Sequence, residues 1–139
     1  MWSKIIIERV PHHTQRYPTL GDYFEGKHND AYIKISNSGK GDYDFAVLIH
    51  ELVEFYLCRQ SGIPEEDITT FDLWYEDERL KGNPECQGEP GEHKEAPYRR
   101  QHSFATSMEL SILNELGHVW ADYNKYLDDF CENYDKTKD

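Results

Sequence analysis

Apolar residues recur along the chain with two different periods, which predict strands first and helices afterwards. Lys4 to Val10 is rich in β-branched residues and stops at Pro11, as is typical of a strand. Ala31 to Ser36 alternates between apolar and polar side chains, which predicts a strand with one buried face. The segments 16–22 and 23–30 contain glycine, proline or asparagine and are predicted to be irregular chain and a turn.

The most apolar stretch, Val47 to Cys58, lies within a predicted central helix. Asp42 or Asp44 could cap the start of this helix, which is predicted to run to about Gln60. Gly62 is well placed to stop the helix at its C-terminal end. Cys58 falls on the helix and is expected to be a small buried residue.

A second helix is predicted from Pro64 onwards, because a proline followed by three acidic residues is typical of a helix start. The apolar stripe of this helix consists of Ile68, Phe71, Tyr75 and Leu80. The segment 69–75 is also compatible with a strand, and the sequence leaves that alternative open.

The C-terminal part of the chain predicts a long loop and two more helices. Residues 81–97 contain three prolines and three glycines and are predicted to form a surface loop. Residues 98–116 are predicted to be helical and to end at Gly117, with an apolar stripe made of Phe104, Met108, Ser111, Ile112 and Glu115. Residues 119–134 predict an amphipathic helix whose core face carries Trp120, Tyr123, Tyr126, Leu127 and Phe130. Residues 135–139 are expected to fray.

This order of elements predicts an α+β fold in which a small β-sheet is followed by a helical core. The chain has 139 residues, of which 37% are hydrophobic, and this suits a single domain over residues 1–139.

Charge and cysteine content narrow the functional classes. The net charge of −12 argues against non-specific binding to nucleic acids or anionic membranes and tends to attract cations. No apolar run approaches the roughly 20 residues of a membrane span, and the first residues lack a signal-peptide pattern, so a cytoplasmic protein is expected. Cys58, Cys86 and Cys131 form no CxxC pair, which indicates neither a disulfide framework nor a zinc knuckle.

The candidate chemistry lies in the central helix. His50 and Glu54 are four residues apart, so a helix projects both from one face, about one turn from each other. This spacing allows one helix to give two ligands to one metal ion. Glu51 lies between them, where it could act as a base on a water molecule at the metal.

The motif His50-Glu51-x-x-Glu54 resembles the HExxH helix of zincin metallopeptidases, with glutamate in place of the second histidine. The chain also resembles a group of small uncharacterised phage and bacterial proteins that share an IHELVE-type helix, a TxFD-type segment and an APYRxxHxFAT-type segment. Here these segments are residues 49–54, 70–72 and 96–106, and the resemblance covers roughly residues 31–125. It implies a zincin-like domain in the cytoplasm of a bacterium or a phage-infected host cell.

In the zincin resemblance, two ligands come from the first helix and the third from a later helix, and Glu51 matches the general base. His102 is the best candidate for the third ligand, because imidazole suits zinc and this residue lies near the start of a helix. Glu109 lies two turns further on the same face and could be a ligand or orient one. Asp72 could accept a hydrogen bond from a ligand histidine. Two histidines with one or two carboxylates suit Zn²⁺, and also Fe²⁺ or Mn²⁺.

The glutamate at position 54 departs from the zincin pattern. It places an anion on the metal, which makes Zn²⁺ a weaker Lewis acid and raises the pKa of a water bound to it. The sequence therefore supports metal binding more strongly than it supports peptidase activity.

Three functional hypotheses follow from the sequence. The leading hypothesis is a zinc-dependent hydrolase of zincin type that acts on a peptide or protein substrate. The second is a Mg²⁺ site made of the carboxylates of Glu51, Glu54, Asp72 and Glu109, as in helical nucleoside-triphosphate pyrophosphohydrolases. The third is a non-catalytic phage or bacterial accessory or binding protein built on a zincin-like scaffold.

Ordinary structural roles compete with these hypotheses. His50 could belong to an internal hydrogen-bond network while Glu51 and Glu54 face solvent. Arg99 and Arg100 could bind a substrate carboxylate or phosphate, but we expect them to pair with surface acids. The remaining histidines are expected at the surface: His12, His13, His28, His93 and His118.

Overall fold

Three strands precede four helices in the computed structural model, which describes residues 1–137, with side chains up to residue 133. The strands are β1 (Lys4–Val10), β2 (Gly21–Glu25) and β3 (Asp30–Ser36), and the helices are α1 (Gly41–Gln60), α2 (Glu65–Leu80), α3 (Arg99–Glu115) and α4 (Trp120–Thr137). Short 3₁₀ turns connect several of these elements. The predicted α+β class, a small sheet followed by helices, is confirmed.

Strand β3 is the central strand of the sheet. It pairs in parallel with β1, from Lys4 opposite Asp30 to Val10 opposite Ser36, and antiparallel with β2. The alternation predicted for β3 is confirmed, because its three inward-facing side chains, Ala31, Ile33 and Ile35, are buried in the core. Helix α1 packs on β2 and β3.

Strand β2 was not predicted, since residues 16–22 were expected to be irregular and residues 23–30 to form a turn. Its five residues include Gly21 and Asp22, which have low strand propensity. Hydrogen bonds to β3 stabilise this segment as a strand despite its low strand propensity. The turn predicted from Gly26 and Asn29 is limited to the connection between β2 and β3. The missed strand matters because Gly21, Asp22 and Tyr23 all line the cavity described below.

Of the two predicted ends of α1, only the C-terminal one is confirmed. Gly62 has a φ of 70° and ends the helix region as expected, because glycine adopts this left-handed conformation at low cost. At the start, neither Asp42 nor Asp44 caps the helix, which begins at Gly41 without a side-chain cap. Asp44 is instead buried, where it accepts hydrogen bonds from Ser38 and Arg9.

Residues 65–80 form a helix, so the strand alternative for 69–75 is wrong. Ile68 and Tyr75 are buried as expected, whereas Leu80 is 75% exposed at the end of the helix. The core face of α4 is confirmed, with Tyr123 and Leu127 buried. Helix α4 continues to Thr137, beyond the predicted end, and residues 138 and 139 of the expected frayed tail lie outside the described residues.

The buried face of α3 differs from the predicted stripe. Phe104 and Met108 are exposed, while His102, Ala105 and Leu113 are buried. These buried positions face α1, the helix against which α3 packs most extensively. The sequence pattern was misleading because two of the inward positions carry polar groups, His102 and Glu109, rather than apolar ones.

The segment 81–97 has no long helix or strand, but several of its side chains are buried. Cys86 and His93 are buried where the loop packs on α2, and the His93 ring lies 5.5 Å from the Trp74 ring and 5.7 Å from the Phe71 ring. Gly91 is buried against His102 of α3. The expectation that His93 is a surface residue is therefore wrong. His12 is also buried, beside Ser36 and Phe130.

None of the helices among the described residues is both long and apolar enough to cross a membrane.

The α1–α3 contact makes a testable prediction about stability. Leu113 is fully buried, so Leu113→Ala should lower the free energy of unfolding by about 2–5 kcal/mol through lost apolar burial and a cavity. Leu116→Ala removes the same atoms at a position that is 44% exposed and should cost less than about 1 kcal/mol. Urea denaturation measures both values, and equal losses would show that α3 packs through another face.

Candidate metal centre

Two helices bring the predicted ligands together. Helix α1 presents His50 and Glu54 from consecutive turns of one face, and α3 presents His102 from its first turn. The side chains of all three residues are buried, with exposed fractions of 7%, 5% and 8%. The interpretation in which Glu54 faces solvent is therefore wrong.

Three donor atoms meet at one point. His50 Nε2 lies 2.9 Å from Glu54 Oε2 and 3.1 Å from His102 Nδ1, and His102 Nδ1 lies 2.9 Å from the same Glu54 oxygen. The point equidistant from these atoms is about 1.7 Å from each, slightly less than the roughly 2.0–2.1 Å of Zn–N and Zn–O bonds. His50, Glu54 and His102 would therefore be able to hold a zinc ion after small adjustments of their side chains.

The outer nitrogen of each imidazole is held by a carboxylate. His50 Nδ1 lies 2.8 Å from Glu109 Oε1, and His102 Nε2 lies 3.0 Å from Glu89 Oε2. A carboxylate only accepts hydrogen bonds, so each of these outer nitrogens carries a proton. The inner nitrogens of the neutral rings then present lone pairs, as metal-ligating histidines do.

If both rings are neutral, the cluster contains three hydrogen-bond acceptors and no donor. In the neutral rings, His50 Nε2, His102 Nδ1 and Glu54 Oε2 all direct lone pairs at one another across about 3 Å. Buried acceptors without donors are costly. Either extra protons on the imidazoles or a cation at the centre removes this cost.

The pKa values of the two histidines favour protonated imidazoles when no metal is bound. Burial lowers the pKa of His50, but hydrogen bonds to Glu109 and Glu54 more than offset it and raise the value to about 11. The same competition, with Glu54 and Glu89 as partners, raises the pKa of His102 to about 9. Burial raises the pKa of Glu54, yet the hydrogen bonds from both histidines hold it well below its ordinary value. Protonation of the imidazoles is therefore favourable in the absence of a metal, because each proton is shared with a neighbouring carboxylate.

Tyrosines hold the carboxylates in place. Tyr23 donates to Glu54 Oε1 over 2.8 Å, which leaves Oε2 directed at the histidines. Tyr123 donates to Glu109 Oε2, while Glu109 Oε1 receives His50. The carboxylates therefore have both oxygens engaged, and their orientation is fixed by residues from β2 and α4.

Glu51, the predicted general base on α1, packs against strand β2. A methyl group at Gly21 would fall 2.5 Å from Glu51 Cγ, so only glycine at this position leaves room for the Glu51 side chain. Burial and the nearby charge of Glu54 raise the pKa of Glu51 well above its ordinary value. A carboxyl group with a raised pKa is suited to exchange protons near neutral pH.

The loop 81–97 forms one wall of the site. Glu89 reaches His102 Nε2, and Gly91 packs so closely on the His102 ring that a methyl group there would lie 2.3 Å from His102 Cγ. These contacts could not be predicted from the sequence, because a single glutamate or glycine in a proline-rich loop has no distinctive pattern. The loop is thus tied directly to one of the candidate ligands.

A cavity of about 390 Å³ opens onto the cluster, within the size range of small-ligand pockets. His50, Glu54 and His102 line it together with Glu51 and Asp72. The cavity runs between β2 and its preceding loop on one side and α2, α4 and the loop 81–97 on the other.

Other predicted site residues take different positions. Asp72 lies in the cavity but accepts a hydrogen bond from Tyr98 and none from a candidate ligand histidine; Glu109 and Glu89 occupy that role. The four carboxylates considered for Mg²⁺ do not converge among the described residues. Glu109 is bonded to His50 and Asp72 to Tyr98, and the converging donors are two nitrogens and one oxygen.

A second group of donors adjoins the first. Glu89 and Glu92 approach His102 from the loop, with one donor atom of each residue within 4.8 Å of the others. Both glutamates are exposed, and Glu89 already accepts the hydrogen bond from His102 Nε2. This arrangement supports the orientation of His102.

Arg99 and Arg100 are exposed and do not line the cavity. The arginines that do line it are Arg16 and Arg79, which are paired with Asp22 and Glu76. Of the histidines expected at the surface, His13 and His28 are exposed, and His118 is partly exposed and pairs with Asp42.

The pKa shifts predict how stability depends on pH without metal. The raised values of His50 and His102 mean that their contribution is complete below about pH 6.5, the unfolded value, and is lost as the pH rises through about 9 and then 11. The lowered value of Glu54 gives a contribution that is present above about pH 4.3 and lost on acidification.

Urea denaturation of chelator-treated protein from pH 4 to 10 measures this dependence. The difference in unfolding free energy between wild type and His102→Ala should be largest near pH 5–6.5 and should shrink at alkaline pH. His13→Ala, an exposed-histidine control, should show no such trend. A difference that grows above pH 8 would contradict the protonated cluster.

Comparisons with known proteins give no relative for this chain. No family model, no curated protein and no solved structure matches it. The interpretation of the site therefore rests on its own geometry and chemistry.

Proposed function

We propose that this protein is a zinc-dependent hydrolase of peptide or related amide bonds. His50, Glu54 and His102 would hold the ion, and Glu51 would act as the general base. The observation that carries the proposal is the convergence of two imidazole nitrogens and one carboxylate oxygen, all buried and within about 3 Å of one another, with the outer nitrogen of each imidazole hydrogen-bonded to a second carboxylate.

The donor set favours zinc. Two imidazole nitrogens and one carboxylate oxygen suit Zn²⁺, and three protein ligands with an open position are typical of catalytic rather than structural zinc sites. Fe²⁺ and Mn²⁺ accept the same donors, whereas Mg²⁺ prefers oxygen ligands and retains its waters. When bound, the ion would polarise a carbonyl oxygen of the substrate and lower the pKa of a water molecule.

The residues around the ligands would prepare the site. Glu109 and Glu89 fix the tautomers of His50 and His102, so that the correct nitrogens face the centre without rearrangement. Tyr23 keeps one oxygen of Glu54 away from the centre and thereby favours a single bond from the other. These contacts preorganise the site, which is how a protein limits the cost of assembling it.

Glu51 would supply the proton transfer. It lines the same cavity as the ligands and is confined between α1 and Gly21 of β2. Its raised pKa makes it a stronger base than an ordinary carboxylate, which would suit it to accept a proton from water and to return that proton to a leaving amine. The anionic ligand Glu54 weakens the Lewis acidity of the ion, so the reaction would depend strongly on this base.

Zinc content tests the ligand assignment. Wild-type protein, dialysed against Zn²⁺ and then against metal-free buffer, should retain about one ion per chain by elemental analysis. His50→Ala and His102→Ala should lose it, because two remaining ligands do not hold zinc firmly. Glu109→Gln should weaken affinity by about 10–100-fold through the loss of the oriented tautomer. The control His118→Ala should bind normally, and unchanged zinc content in all variants would remove the proposal.

Glu51→Gln separates metal binding from catalysis. The variant should keep its zinc but should lower kcat on fluorogenic peptide amides by about 10²–10⁴-fold, because it lacks the proton acceptor. Glu66→Gln, an exposed glutamate on α2, serves as the control. If zinc binds and no amide is cleaved by the wild type, the non-catalytic binding protein is the better description.

A further inference from the structure

The charges that line the cavity are strongly unbalanced. Nine acidic residues line it, against two arginines and three histidines, and no lysine lines it. Both guanidinium groups are already engaged, Arg16 by two hydrogen bonds to Asp22 and Arg79 by Glu76. The cavity therefore attracts cations and repels anions.

Asp72 and Glu51 differ from the other acidic residues near the cluster, because neither forms an ion pair among the described residues, and Glu51 is already assigned to proton transfer. Asp22 accepts from Arg16 and Tyr17, Glu54 and Glu109 accept from His50, and Glu89 accepts from His102. For Asp72, the hydrogen-bond partner among the described residues is the neutral hydroxyl of Tyr98, and no described cation forms an ion pair with it. Partly buried carboxylates normally have a charged partner.

The surroundings of Asp72 make its negative charge costly. Burial is the largest cause that raises its pKa, to about 7; the Tyr98 hydrogen bond opposes this, and the carboxylates of Glu54 and Asp22 add to it. A cation bound beside Asp72 would remove this cost. Tyr98 and Tyr17 also line the cavity, and aromatic rings attract cations; the Arg16 guanidinium already lies 5.2 Å from the Tyr17 ring.

We propose that Asp72 is the receptor for a primary ammonium group of the substrate. This inference rests on the proposed function, because it names the substrate class of the same site: a peptide or amide with a free amine near the bond to be cleaved. Asp72 belongs to neither group of donor atoms that could hold a metal among the described residues, so an organic cation fits this position better than a second ion.

The ammonium group has two natural sources, and four small amides distinguish them. L-leucinamide carries an α-ammonium and Nα-acetyl-L-leucinamide carries none. Nα-acetyl-L-lysinamide carries only the side-chain ammonium, and its Nε-acetylated form carries none. Binding at pH 7 is measured by NMR shift changes, with both metal-free and zinc-loaded protein, and zinc content is determined on the same samples.

We expect the amides with an ammonium group to bind at least 10-fold more tightly than their acetylated forms. Asp72→Asn should weaken this binding by about 10–100-fold, because it removes a charge-assisted hydrogen bond but keeps the shape of the side chain. Asp67→Asn makes the same change at an exposed position of α2 and should alter binding less than about 3-fold. Thermal unfolding verifies that the variants fold, and the charge-conserving Asp72→Glu should retain part of the affinity.

Each outcome decides the inference. Selective binding of leucinamide assigns the receptor to a peptide N-terminus, and selective binding of the lysinamide assigns it to a lysine side chain. Equal binding of charged and acetylated amides, or equal losses in Asp72→Asn and Asp67→Asn, would overturn it. If the protein binds ammonium groups but does not retain zinc, the proposed zinc-dependent hydrolase is refuted and the role of Asp72 stands. If it retains zinc but does not prefer ammonium groups, the role of Asp72 is refuted and the zinc site stands.

Discussion

The structure depends on the convergence of three buried polar atoms, two imidazole nitrogens and one carboxylate oxygen. His50, His102 and Glu54 direct their acceptors at one point, and a protein interior does not tolerate that arrangement without a positive charge at the centre. Protons on the imidazoles provide one solution and a divalent cation provides the other. The outer carboxylates of Glu109 and Glu89 hold the outer N–H groups in both cases, so the inner nitrogens would be available to a cation if it displaced the inner protons.

The remainder of the fold holds this arrangement in place. Helices α1 and α3 bring the three donors together, while β2 and α4 contribute Tyr23 and Tyr123 to orient the carboxylates. The loop 81–97 completes the enclosure through Glu89 and Gly91. Five separate parts of the chain thus contribute to one centre, which is typical of sites whose geometry must be set before the ligand arrives.

The cavity gives the centre a chemical context. A base with a raised pKa, Glu51, and a carboxylate without a charged partner, Asp72, lie in the same space as the candidate ligands. The first is suited to move a proton and the second to hold a cation. Under the proposed function they would favour a small cationic substrate over an anionic one, in keeping with the excess of acidic residues around the cavity.

The sequence by itself determined strands β1 and β3 and helices α1, α3 and α4. It also determined two of the converging donors, because helical spacing places His50 and Glu54 about one turn apart on one face. It also indicated that His102 would face inward from a later helix, although the apolar stripe of that helix was assigned to the wrong face. Strand β2, the contacts of Glu89 and the partner of Asp72 were decided by tertiary structure alone. These depend on contacts between residues far apart in the chain, and a short edge strand or a single loop glutamate has no periodicity from which such contacts can be inferred.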